Sequence, residues 1–163
     1  MGRPVEETIA VPRSSGLHRA ASLGLHPFLF AAASVFRLNA SNLREVYFWD
    51  VVPALATALA AVSVLFLVLG AMLRHAGPKA AVLASFAVVV GLFYVDLVGA
   101  ANRYLGLGLS PFAALPFVLA AFALLAGAMA WLRLDMTPVN AILNCIAMAV
   151  LIPPVSAVAL QAW

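Results

Sequence analysis

Five apolar runs follow one another along this chain, and the short segments between them hold nearly every charged residue. Hydrocarbon offers no hydrogen-bond partner to a bare backbone, so runs of this kind cross a bilayer as helices that satisfy their own amides and carbonyls. Only 9% of the 163 residues are Asp, Glu, Lys or Arg and 66% are hydrophobic, against roughly 45–50% apolar residues in soluble domains. A soluble core is excluded. The expected fold class is all-α: a polytopic integral membrane helix bundle of about five transmembrane helices.

Residues 1–22 are polar and turn-prone, with Pro4, Pro12, Ser14, Ser15 and Gly16, and read as a tail. Its end, near Leu17 to Leu23, suits a short amphipathic helix lying at the membrane surface. Residues 23–163 form the bundle, with spans expected at about 23–40, 46–73, 80–101, 111–132 and 138–160. The first run is short and is interrupted by His26-Pro27, which makes it a short or tilted helix whose Arg37 reaches the interface along its aliphatic stem. Pro53 falls in the first turns of the second span, where proline disturbs a helix least. Pro111 and Pro138 suit the openings of the fourth and fifth. Pro153-Pro154 is expected to kink or break the last helix.

Positive residues are retained on the cytoplasmic side of a membrane. With the N-terminus inside, the inner segments hold Arg3, Arg13, Arg19, Arg74, Lys79 and Arg133, and the outer loops hold Arg37, Arg44 and Arg103. That imbalance predicts N-in and C-out. The alanine-rich, arginine-over-lysine composition points to a bacterial inner (cytoplasmic) membrane.

Helices in lipid associate through close packing of small residues and a few hydrogen bonds. Ala87 with Gly91 and Ala123 with Gly127 are small residues four apart, and Ala56, Ala60 and Ser63 line one face of the second span. Asn140 and Asn144, one turn apart on the fifth span, are expected to bond to a neighbouring helix.

Asp96 is the residue that most invites a functional reading, because a carboxylate inside a bilayer is costly unless neutral, paired or hydrated. In a continuous third span it lies about 9 Å below the outer helix end, at roughly 1.5 Å per residue. Arg103 follows seven residues later, and Asp50 and Arg44 flank the outer end of the second span. An interface ion pair or hydrogen-bonded clasp accounts for this group better than an ion pathway, since no second deep acid is at hand.

His26 is the histidine best placed to ligate a metal or a tetrapyrrole, and otherwise reads as a helix cap or hydrogen-bond donor. His18 and His75 share no helix with it at ligand spacing, so no metal site is expected. The lone Cys145 provides neither a disulfide nor a CxxC pair. Gly106-Leu107-Gly108 lacks the strand and lysine of a phosphate loop. No Ser-His-Asp order, HExxH or paired carboxylates occur, so no catalytic residue, cofactor or enzyme activity is expected; whether lipid or pigment binds is left open. The basic residues are scattered singly, which argues against nucleic acid.

The stretch His26-Pro27-Phe28-Leu29-Phe30-Ala31, followed by Asn42-Leu43-Arg44-Glu45-Val46, resembles the start of the N-terminal multi-span membrane module of bacterial sulfatase-like proteins of the alkaline phosphatase superfamily. Leu92-Phe93-Tyr94 and Thr137-Pro138-Val139-Asn140 are similar to later parts of that module. The resemblance implies an external hydrolase domain after the last helix. The metal ligands and nucleophile of such a domain are not in this sequence, so the resemblance transfers no catalytic residue.

Three functions remain in play. The first is a non-catalytic structural or accessory subunit, packed against other integral membrane proteins in a larger complex such as a respiratory or photosynthetic assembly. The second is a small transporter or channel, and the third the membrane anchor of an external sulfatase-like hydrolase.

Overall fold

Six α-helices run through residues 24–42, 48–74, 77–132 and 135–161, which the computed structural model describes. They are α1 (His26–Ser41), α2 (Phe48–Met72), α3 (Gly77–Leu92), α4 (Tyr94–Leu105), α5 (Pro111–Trp131) and α6 (Thr137–Gln161). The 25 residues of α2, 21 of α5 and 25 of α6 measure about 37, 31 and 37 Å at 1.5 Å per residue, enough for a hydrocarbon layer of about 30 Å. Three helices are therefore long and apolar enough to cross a membrane, or four if α3 and α4 make one broken span. With 16 residues, α1 measures only about 24 Å.

The third apolar run, expected as one helix over 80–101, is bent by 72° at Phe93, between α3 and α4. The charge order accounts for a separate helix there. Asp96 lies in the first turn of α4 and Arg103 in its last, the placement that a helix dipole favours at its own two ends. Gly106, at φ 63°, closes α4 in the left-handed conformation that glycine adopts without a Cβ penalty. Asp96 is consequently exposed at a helix start and not enclosed within a straight span.

From α4 the chain turns tightly into α5. Asn102 Nδ2 donates to the Leu109 carbonyl at 2.7 Å while the Leu109 N–H donates back to Asn102 Oδ1 at 2.8 Å. The Tyr94 hydroxyl donates to the Pro111 carbonyl. Ser110 caps α5 by accepting from the Ala113 N–H at 3.2 Å, and Pro111 takes the first helical position.

The short α1 is the central element: it packs most extensively on α6 and also against α2 and α3, whereas α5 packs chiefly on α3 and α4. One apolar cluster gathers Leu69, Ala80, Leu83, Ala84 and Met129 where α2, α3 and α5 meet. A second gathers Ala31, Val62 and Val88 from α1, α2 and α3, with Phe28 tilted against Phe66 at 6.0 Å between ring centres.

The small residues of α2 and α5 turn mostly outward. Ala56 and Ala60 are exposed, because α2 turns Val51, Val62 and Leu69 inward, residues spaced eleven and seven apart on one face. Ala123 and Gly127 of α5 also face outward. At the double proline, α6 does not break; it continues as helix to Gln161.

Candidate functional site

Proline after the histidine makes the start of α1 a natural helix opening, since Pro27 has no N–H to leave unsatisfied in the first turn. The preceding Leu25 provides no side-chain cap. The His26 N–H is instead capped from another helix, donating to Asn144 Oδ1 at 2.9 Å across 118 residues of sequence. Gly24 allows this approach: a Cβ there would meet the Ala81 Cβ at 2.2 Å.

The His26 imidazole, at 0% exposure, lies between α3 and α6. Its Nε2 faces Asn140 Oδ1 at 2.5 Å and its Nδ1 pairs with Ser85 Oγ. The Asn140 amide nitrogen donates to the carbonyls of Pro78 at 3.1 Å and Met136 at 3.0 Å. Those two acceptors fix the orientation of the amide, so its oxygen must accept, and the proton of a neutral imidazole must sit on Nε2. Nδ1 then accepts the Ser85 hydroxyl. Every polar atom of the ring is used, and neither nitrogen keeps a lone pair for a metal or a tetrapyrrole. Among the described residues no group of three His, Cys, Asp or Glu side chains is placed to hold a metal ion.

The same end of the bundle is tied once more. Lys79 Nζ donates to the carbonyls of Met129 at 2.7 Å and Leu132 at 2.6 Å, at the end of α5, where a helix leaves carbonyls without intrahelical partners. Asp135, beside the start of α6, accepts from the Thr137 hydroxyl at 2.7 Å and the Thr137 N–H at 2.9 Å. These two bonds, the side-chain one first, hold its carboxyl below the ordinary carboxylate range.

The opposite end is built differently. Arg37 of α1 places its guanidinium 5.3 Å from the centre of the Phe93 ring, at the bend between α3 and α4. Arg37 and Asp96 line one cavity of about 270 Å³ together with Ser34 and Ser41, yet no ion pair joins them. Arg103, two turns beyond Asp96, forms no ion pair with it either and is exposed. A second cavity of about 380 Å³ flanks Arg37 beside Pro153 and Pro154. Asn39 of α1, 5% exposed, has neither atom of its amide bonded.

Of the residues expected to form a polar clasp, Asn140 and Asn144 come together on His26, which the sequence marked only as a cap, hydrogen-bond donor or weak ligand candidate, while Asp96 and Arg103 stay apart from them and from each other. Asp50 lies in the first turn of α2, and Arg44 lies outside the described residues. Sequence reasoning missed Ser85 and Lys79. The signal for Ser85 was a lone hydroxyl within Ala80-Ala81-Val82-Leu83-Ala84, on the buried side of α3. Comparison of the chain with family models, with curated proteins and with solved structures gives no match.

Proposed function

We propose that this protein is a structural or accessory subunit of a larger complex in a bacterial cytoplasmic membrane, a five-pass bundle with its N-terminus inside. The observation that carries the reading is the outward direction of the small residues. Ala123 and Gly127 of α5 face away from the chain, and a Cβ on Gly127 would meet nothing within 4 Å. Close helix approach in lipid depends on such faces, and this one is used by none of the described helices. The buried His26 cluster supports the same reading: its groups are spent on one another and on backbone carbonyls, as a fastening between helices requires.

The five-pass topology is supported by the shared end of the bundle, where the starts of α1, α3 and α6 and the end of α5 meet through His26, Asn140 and Lys79. Arg74 and Lys79 sit at that end, and retention of positive charge inside makes it the cytoplasmic one. The partner is the transmembrane helix of another membrane protein, packed on the Ala123–Gly127 face.

Extraction from native membranes in mild detergent, with native electrophoresis and mass spectrometry, tests this. Migration with a larger assembly is expected, and Gly127→Leu is expected to release the chain from it without lowering its own unfolding temperature. Migration alone, with solute flux from purified protein in liposomes, refutes the subunit reading.

A further inference from the structure

An apolar groove of about 380 Å³ runs between α1, α2 and α3, lined by Ala31, Val35, Ala58, Val62, Val88 and their neighbours. Its volume lies at the lower end of the roughly 300–1,000 Å³ of small-molecule sites. The groove does not end in more hydrocarbon. Ser34, Leu38 and Leu92 line it and also line the adjoining 270 Å³ cavity, where Arg37 and Asp96 stand. One recess thus passes from a largely apolar groove to a chamber whose charged groups, among the described residues, are Arg37 and Asp96, with no ion pair between them.

We propose that this recess binds a single zwitterionic glycerophospholipid, with an acyl chain in the groove, the phosphate at Arg37 and the headgroup ammonium at Asp96. The charge pattern selects this occupant. An anionic lipid offers a partner to Arg37 but brings a second negative charge beside Asp96. A partner helix, lacking charge in its apolar part, leaves both groups desolvated and uncompensated. A zwitterionic head supplies both counter-charges from one molecule. Depth agrees as well: Arg37 lies four residues before the end of α1, about 6 Å at 1.5 Å per residue, close to where headgroups begin. Guanidinium donors are also suited to bidentate contact with phosphate. The site is on a different face from Gly127 and does not depend on the subunit reading.

The full chain, purified in mild detergent and reconstituted into nanodiscs of equimolar phosphatidylethanolamine and phosphatidylglycerol, is released into native mass spectrometry and its retained lipid identified. One phosphatidylethanolamine per chain is expected, at least fivefold over phosphatidylglycerol. Arg37→Ala is expected to cut retention at least fivefold. Asp96→Asn, an exposed change at a helix start that leaves the unfolding temperature in place, is expected to move the preference to phosphatidylglycerol. Retention of neither lipid, equal retention of both, or an unchanged preference in Asp96→Asn overturns the proposal.

Discussion

The two ends of this bundle use polar residues in opposite ways. At the His26 end the buried His26, Ser85 and Asn140 each meet a partner on another helix or a backbone carbonyl, and helices α1, α3, α5 and α6 are tied there. At the Arg37 end the charges line a cavity without pairing, and a helix breaks beside them. Polar atoms closed on one another build stability; polar atoms held apart in a recess cost stability and make sense only through what they meet. The first end is a fastening and the second a receptor.

The comparison breaks most readily at His26. His26→Ala leaves the Ser85 hydroxyl and the Asn140 oxygen buried and unpaired, and is expected to cost about 2–4 kcal/mol, read as a lower midpoint in detergent unfolding. An unchanged midpoint would falsify the fastening. Gly24→Ala comes next. Its new methyl collides with Ala81, so α1 must lift from α3, at about 1–3 kcal/mol, and faster hydrogen exchange over the first turn of α1 should report it. Lys79→Met removes the donor from the end of α5, with an expected cost of about 1 kcal/mol and exchange rising at 129–132; exchange rising equally along the whole of α5 would count against a local cap. At the receptor end, Asp96→Asn is expected to change stability by less than about 1 kcal/mol, and a loss as large as that of His26→Ala would erase the contrast between the ends. The smallest effect concerns acid. Because the folded carboxyl of Asp135 titrates below its unfolded value, its contribution is present above the unfolded value and fades as pH falls through the folded one. Thr137→Val removes the hydroxyl donor and keeps the N–H, so it should lessen that acid sensitivity, and a wild-type acid profile in the variant would show that the side-chain bond does not matter.

Hydropathy alone placed the long helices closely: spans expected at 46–73, 111–132 and 138–160 meet helices at Phe48–Met72, Pro111–Trp131 and Thr137–Gln161. Apolar length and opening prolines determine such elements locally. The break at Phe93 was also legible, in an acid followed seven residues later by an arginine and then by glycine, but mean hydropathy over the run averages that order away. Which face of α2 turns inward was not legible, since Ala56 and Ala60 resemble packing residues as much as Ala58 does, and the choice is made by the shapes of α1 and α3. The His26 cluster was half legible. His26, Asn140 and Asn144 each stood out as polar residues in apolar runs, but their meeting depends on α1 and α6 lying side by side across more than a hundred residues. No local pattern encodes that.

That separation has a consequence for biogenesis. The residues that satisfy His26 follow it at a distance, Ser85 by 59 positions and Asn140 and Asn144 by 114 and 118. At roughly 5–20 residues per second of synthesis, His26 waits on the order of 6–20 s for Asn140 to emerge. Throughout that interval the His26 Nε2 lacks its acceptor, and α1 lacks the helix it packs on most extensively. Closure of α6 onto α1 therefore waits for the synthesis of Asn140, and a chain cut before Asn140 lacks that step even though α1 to α5 are complete.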